Sequence, residues 1–236
     1  MAELDGQIAV VTGAARGIGK SVSKRLAAMG ALVLLIARDV SRLNALKGEI
    51  EASGGQAESH PLDLLDGSAI TSLADGIRQR HGRCDILVNN AGVGFIGKPL
   101  HETTPDNWDV MLGTNLRAPY LMIRALAPLM IAAGRGHIIN ISSLAGHNPL
   151  KNGAGYAASK WGLNGLTYSV AEELRDYGIR VSAVAPGSVN TDFGHGAKDG
   201  NWKIQPADIA NIIAMLVTQS PQSFVSEVLV RPARKP

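Results

Sequence analysis

The sequence predicts an α/β fold in which a doubly wound parallel sheet of about seven strands carries helices on both faces. Three observations lead there. Short aliphatic runs alternate with helical patterns along the 236 residues. The run 31–37 (ALVLLIA) is apolar at every position, as in a strand buried on both faces. A glycine-rich turn joins the first strand directly to the first helix.

In chain order, the run IAVV predicts a strand over 8–11, followed by the glycine turn and a helix to about residue 29. Strand 31–37 precedes a helix over 41–52, where Leu43, Leu46 and Ile50 recur at helical spacing. A strand at 57–60, a helix over 68–81 and a strand at 86–88 come next. One long helical region is expected over 106–133. Strand 137–141, helix 154–177, strand 180–185, helix 206–218 and strand 227–230 complete the pattern. Right-handed crossovers leave few other topologies. The loops 95–103 and 188–205 follow strands and are expected to be the mobile parts. They lie at the carboxyl ends of the strands, where such sheets bind ligands.

Composition narrows the function classes. No Pro/Ser-rich stretch or long charge run divides the chain, so residues 1–236 are read as one domain. A lone Cys84 excludes an internal disulfide framework and a Cys-based metal cluster. The net charge of +3 comes from scattered residues, with three Trp, four Tyr and three Phe, so nothing points to nucleic acid. The longest apolar stretch, 118–133, is broken by Arg124 and interrupted by Pro119 and Pro128, which argues against a membrane span. The opening MAELDGQIAVVTG carries acids and runs straight into a strand, unlike a signal peptide. The expected location is the cytoplasm.

The stretch Thr12-Gly13-Ala14-Ala15-Arg16-Gly17-Ile18-Gly19 has glycines at G-x-x-x-G-x-G spacing between a strand and a helix. Glycines permit a tight turn and close backbone approach, and the helix N-terminus favours a pyrophosphate. From this motif on, the chain resembles the short-chain dehydrogenase/reductase family, and in particular its 3-oxoacyl carrier-protein reductases. Asp63-Leu64, Asn89-Asn90-Ala91-Gly92, Asn115, Ser142-Ser143, Tyr156-x-x-x-Lys160 and Pro186-Gly187 follow in the family's order. The resemblance covers essentially the whole chain and implies a Rossmann-type fold.

An acid about 20 residues past the glycines usually holds the ribose 2′-hydroxyl of NAD, and an Arg there suits the 2′-phosphate of NADP. Asp39 lies 20 residues after Gly19. In the family the NAD-selecting acid falls at the position of Ala37, and Arg16 and Arg38 match basic positions of NADP-preferring members. Two guanidiniums suit a dianionic phosphate. NADP(H) is the expected cofactor, ahead of NAD(H). The resemblance places the cofactor against Thr12, Gly13, Arg16, Gly17, Ile18, Gly19 and Arg38, with Asp63 and Leu64 on the adenine side. Asn90, Ala91 and Gly92 line it, Tyr156 and Lys160 reach its ribose end, and Pro186, Gly187, Val189 and Thr191 hold the carboxamide side. Asn89 is expected to brace the sheet.

Tyr156 and Lys160 stand four residues apart, on one helix face. A free Tyr titrates near 10, and a neighbouring ammonium favours the phenolate. The resemblance makes Tyr156 the general acid/base, with Ser143 bonding the substrate oxygen, Lys160 supporting both, and Asn115 holding a relay water. Ser142 is the fallback for Ser143. No G-x-S-x-G elbow surrounds these serines. The reaction implied is hydride transfer between nicotinamide and a carbonyl or secondary alcohol.

No metal is expected: His60, His81, His101, His137, His147 and His195 show no H-x-x-x-H or HExxH spacing. His147 and His195 are read as ordinary loop histidines, and Trp108 and Trp161 as packing or contact residues. The chain departs from the carrier-protein reductases at its end, SEVLVRPARKP, which lacks their Gly-Gly segment. The 191–205 segment is short and polar, as for a fairly open cleft. The family's helix pairing implies a homo-oligomer, a dimer or tetramer. A non-catalytic nucleotide sensor or scaffold on the same fold is the alternative, and an epimerase or dehydratase a third.

Overall fold

In the computed structural model, which describes residues 2–193 and 200–234, seven parallel strands form one sheet in the order β3-β2-β1-β4-β5-β6-β7. The strands are β1 (Ile8–Thr12), β2 (Leu32–Ala37), β3 (Gln56–Pro61), β4 (Ile86–Asn89), β5 (Gly136–Ile141), β6 (Ile179–Pro186) and β7 (Glu227–Val230). Between them run α1 (Gly17–Ala28), α2 (Val40–Ala52), α3 (Gly67–His81), α4 (Pro105–Leu112), α5 (Ala118–Ala133), α6 (Ala154–Arg175) and α7 (Pro206–Val217). The expected α/β architecture is present, and the elements differ from the expected ranges mainly at their ends.

Alternation in the strands builds two cores. In β1, Ala9 and Val11 point into one, with Val33 and Leu35 of β2 and the apolar faces of α1, α2 and α7. Ile8 and Val10 point into the other, with Leu34, Ile36 and the faces of α3, α5 and α6. A residue-by-residue alternation with both faces covered is why β2 reads as continuous apolar sequence. Burying each Leu or Ile here contributes about 1.5–3 kcal/mol.

The chain winds outward from β1 through β2 to β3, then crosses back to place β4 beside β1. That reversal opens a crevice at the carboxyl ends of β1 and β4. The glycine loop after β1 and the Asn90–Gly92 segment after β4 both reach it.

The expected single helix over 106–133 is interrupted. A π-helical turn, Gly113–Arg117, separates α4 from α5. By length and composition the run Pro105–Ala133 could cross a membrane, with mean hydropathy 1.3. Its α5 portion instead buries Met122, Ile123, Leu126 and Met130 in the second core, the setting of a core helix. Of the 188–205 loop, residues 194–199, and with them His195, lie outside the described residues.

Candidate functional site

The glycine loop is held shut from behind. The Thr12 hydroxyl, buried at the end of β1, accepts from the Asn90 and Ala91 backbone N–H groups at 3.0 and 3.1 Å. Asn90 Nδ2 donates to the Thr12 and Gly13 carbonyls. Thr12 and the Asn90 side chain therefore join two strand ends, leaving main chain to face the crevice. Gly13 has φ +65°, and a Cβ there would meet Ala91 Cα at 2.9 Å. A Cβ on Gly19 would stand 2.2 Å from the Gly13 carbonyl, so no side chain fits. Gly17 opens α1 with φ +55° beneath the Thr191 methyl, and Ile18 packs on the first core.

The start of α1 suits an anion. Its N-cap, Arg16, makes no side-chain capping bond, and the first turn holds no acid. The unpaired N–H groups and the positive end of the helix dipole face the crevice. Arg16 and Arg38 lie exposed, with carboxylates only at 3.9 Å (Asp192) and 4.0 Å (Asp63). Exposed pairs of that length hold little. Asp39 is committed elsewhere: its carboxylate caps α2 by accepting from Arg42 N at 3.0 Å and sits 3.3 Å from Arg42 Nε. Asp63 accepts from Leu65 N, and Leu64 is buried in the second core, so only its main chain faces outward. These groups fit the pyrophosphate and 2′-phosphate of a dinucleotide.

Asn89 braces the sheet as expected, donating to Asn140 Oδ1 at 2.8 Å, and Asn140 passes the link to Thr167 of α6. Gly92 lies where a Cβ would meet Asn115 Oδ1 at 3.4 Å and Lys160 Nζ at 3.7 Å, so the loop after β4 and the catalytic candidates share one wall. Beyond β6, Gly187 donates to the Val230 carbonyl, Val189 pairs with Ile204, and Thr191 Oγ1 accepts from Phe193 N. Pro186 ends β6 itself.

The four catalytic candidates converge. Ser143 follows β5 directly, half-buried, and its Oγ accepts from Ala145 N at 3.1 Å. Its hydroxyl lies near enough to the Tyr156 side chain to pull the phenol pKa down. Lys160 is 4% exposed and donates to the Ile141 carbonyl at 2.8 Å, with Nζ 5.8 Å from the Tyr156 ring centroid. Asn115 is fully buried inside the π-helical turn. Its Oδ1 accepts from Val93 N, while Nδ2 donates to the Val93 carbonyl and to Ser159 Oγ. Ser159 in turn donates to the Tyr156 carbonyl at 2.7 Å. Both Nδ2 protons are spent, and the Asn115 side chain locks the loop after β4 to α6. A π-turn is a common device at functional sites because it breaks the regular backbone ladder. Ser142 Oγ is buried without a hydrogen-bond partner, behind the Ser143 turn.

Burial decides the electrostatics. It pushes the Lys160 ammonium down to about 8. It pushes the Tyr156 phenol up, and the Ser143 hydroxyl pulls the other way. The lowering expected of Tyr156 from the Lys160 ammonium is thus not found in the chain alone. Lys160 instead donates its bond to the Ile141 carbonyl.

Four residues of this region escape a motif reading. Asn164 lies one helical turn past Lys160 and donates to the Gly146 carbonyl at 3.0 Å, gripping the short turn after Ser143. His147 Nε2 is 2.7 Å from Glu227 Oε1 and 3.0 Å from Asn164 Nδ2, so its single Nε2 proton goes to the carboxylate. The Tyr168 hydroxyl donates to the same Glu227 oxygen. Phe193 rests on the Tyr156 ring, centroids 5.7 Å apart. Helical spacing from Tyr156 through Lys160 to Asn164 and Tyr168 was the available signal for two of them. No group of three or more metal-capable side chains exists among the described residues.

A sheet wound this way, with a glycine loop at its reversal point and a Ser–Tyr–Lys cluster after β5, defines a nicotinamide-type oxidoreductase. Residues 7–202 match the family model described as short chain dehydrogenase, and the chain belongs to that family. An uncharacterized oxidoreductase of Staphylococcus saprophyticus is 34% identical, covering 98% of this chain and 100% of the relative. Among solved structures, a metagenomic short-chain oxidoreductase in complex with NADP is similar at TM-score 0.89 and 56% identity, over 99% of this chain and 100% of that one. An alcohol dehydrogenase of the archaeon Thermococcus sibiricus, complexed with 5-hydroxy-NADP, gives TM-score 0.90 at 27% identity, over 98% of each chain. The protein is accordingly a dehydrogenase/reductase acting on a CH–OH or carbonyl group.

Proposed function

We propose that the protein is an NADP(H)-dependent carbonyl reductase and alcohol dehydrogenase with Asn115, Ser143, Tyr156 and Lys160 as its working groups. The observation that carries this reading is the convergence of Ser143, Tyr156 and Lys160 beside Gly92, at the crevice where the glycine loop ends. Arg16, Arg38 and the open N-terminus of α1 would hold the phosphates, and the Asn90–Gly92 and Pro186–Thr191 segments the nicotinamide half. The 56% identical oxidoreductase in complex with NADP supports the choice of cofactor.

When bound, the cofactor supplies a hydride, two electrons with one proton, to the carbonyl carbon. The Tyr156 hydroxyl then gives its proton to the carbonyl oxygen, which becomes the alcohol oxygen. In the reverse direction Tyr156 takes that proton back. Ser143 steadies the oxygen through its own hydroxyl. Lys160 favours the phenolate left after proton transfer, and burial, which lowers its own pKa to about 8, brings its proton within easier reach of exchange. Asn115 fixes Val93 and Ser159, and through Ser159 the backbone of Tyr156.

The test is a titration with NADPH and NADH by nicotinamide fluorescence, followed by a carbonyl panel with the wild type and Tyr156→Phe. NADPH should bind more tightly, and Tyr156→Phe should lose at least about 100-fold in kcat while binding NADPH as before. Undiminished turnover in Tyr156→Phe removes it as the acid. Failure to bind either cofactor overturns the reading from the glycine loop onward.

A further inference from the structure

Beside the Ser143 hydroxyl and the Lys160 ammonium, the surroundings of Tyr156 include a group of apolar side chains. Met111, Ala145 and Tyr156 form a small separate core, with Val93 and Leu150 packed against it. Phe95 and Ile96, on the loop that follows β4, are 42% and 44% exposed. This loop is tied to the segment before α6, since Gly97 N donates to the Asn152 carbonyl at 2.8 Å. Phe193, 37% exposed, leans on the Tyr156 ring from the other side, tilted by 51°. Large apolar side chains left exposed on segments that border one reacting group mark a candidate ligand surface.

Phe193 has its place because Gly94 has no side chain. A Cβ on Gly94 would lie 2.9 Å from Phe193 Cζ and 3.3 Å from Tyr156 Cδ2. Gly94 has no positive φ, so its smallness, not its backbone freedom, is what the site uses. Ring, gap and phenol thus form one fitted contact.

We propose that Phe193 is the specificity-determining residue of this site and that the substrate is an apolar ketone or its secondary alcohol. The phenyl ring faces the substituent beside the reacting carbon and limits its bulk. Polyhydroxylated substrates are disfavoured, because none of Val93, Phe95, Ile96, Leu150 and Phe193 offers a side-chain hydrogen bond and a buried hydroxyl without one is costly. This inference rests on the function proposed above.

The experiment measures kcat/KM of the holoenzyme with NADPH for acetophenone, 2-acetylnaphthalene and the polyhydroxy ketone erythrulose. It compares wild type with Phe193→Ala, Phe193→Leu and Gly94→Ala, each after NADPH affinity has been measured. Wild type should favour acetophenone over erythrulose by at least about tenfold. Phe193→Ala should raise the ratio of naphthyl to phenyl ketone by about tenfold or more, with NADPH Kd within about twofold. Phe193→Leu should raise it less. Gly94→Ala, which pushes on the ring from below, should lower the use of both aryl ketones. An unchanged naphthyl-to-phenyl ratio in both Phe193 variants, or equal use of erythrulose by wild type, overturns the inference while leaving the reductase intact. NADPH binding without reduction of any ketone overturns the proposed function and the inference with it.

Discussion

The two ends of the sheet bury polar groups in different ways. At the amino ends, Asp85 is saturated: it accepts from Ile8 N at 2.9 Å, takes two bonds from Arg83 and lies 3.6 Å from Arg135. Beside it, His137 Nε2 meets Ser182 Oγ at 2.8 Å, and Ser182 donates on to the Val225 carbonyl. At the carboxyl ends, Lys160 spends one bond on Ile141, and Arg16 and Arg38 reach their carboxylates only at the limit of an ion pair. Burial depresses both Lys160, to about 8, and His137, to about 3. The same desolvation therefore serves two ends. Where the surroundings are closed it fixes a neutral strut. Where the sheet opens into a crevice it leaves a group poised to act.

Charge removal at the carboxyl end should thus cost turnover, and the largest effect is expected there. Lys160→Met should lower kcat by on the order of a thousandfold, as loss of both proton-transfer support and ribose contact. The stability signature runs in a definite direction. Folding lowers the Lys160 pKa from 10.5 to about 8. Between those values the unfolded chain still carries the proton and the folded one has lost it, so this group makes stability rise with pH. Urea unfolding at pH 8 and pH 9.5 should show that rise in wild type and a smaller one in Lys160→Met. Equal slopes would mean that Lys160 is not desolvated as placed.

The amino end should answer with stability instead. The His137 pKa is lowered from 6.5 to about 3, mainly by burial and then by the Arg180 charge. Below pH 6.5 the unfolded chain takes up a proton that the folded chain refuses, so stability present above pH 6.5 is lost as pH falls toward 3. At pH 4.5 the loss from this group is about 2–3 kcal/mol relative to pH 7. His137→Gln should flatten that acid limb in unfolding curves and keep wild-type kcat at pH 7.5. A fall in kcat would break the division between the two ends.

Arg38→Ala sharpens the comparison at the carboxyl end without touching the chemistry. NADPH binding should weaken by about 10- to 50-fold, with NADH nearly unchanged, because only the former has a charge-assisted 2′-phosphate contact to lose. Fluorescence titration separates the two, and equal losses would place Arg38 outside the phosphate site.

How much of this was legible depended on what kind of spacing encoded it. The parallel order, the two-faced burial of β2 and the glycine loop were readable because each follows from local pattern: period-two alternation, apolar continuity, and glycines where a Cβ collides. Tyr156 and Lys160 were readable for the same reason, at one helical turn. The split of 106–133 was not, because poor helix formers such as Gly113, Thr114 and Asn115 do not by themselves tell a π-turn from a continuing helix, and the turn coincides with Asn115 reaching Val93 across the fold. Asp39 illustrates the converse: its spacing suits a ribose contact, but the α2 N-cap claims it. The rise of the Tyr156 pKa in the chain alone could not be read from a motif, because desolvation depends on packing that no motif records. Phe193 lacked any spacing signal, since its partner Gly94 is 99 residues away in sequence.

The smallest effect concerns the contact that joins the reacting turn to the sheet edge. Glu227, on β7, receives His147 Nε2–H at 2.7 Å and the Tyr168 hydroxyl at 2.8 Å, while Asn164 holds Gly146 from α6. A Cβ on Gly146 would meet Asn164 Nδ2 at 2.8 Å, so the turn carrying Ser143 nests against the same helix stripe that bears Tyr156 and Lys160. His147 is therefore no idle loop residue: it pins the far end of that turn. Glu227→Gln keeps the size and one acceptor but loses the carboxylate that accepts from both His147 and Tyr168. If the pin positions Ser143, kcat should fall about two- to fivefold with NADPH affinity unchanged, and Glu227→Ala, which removes both acceptors, should cost more. Unchanged kcat in both variants would make Glu227 a packing residue of the edge strand, with no hold on the serine.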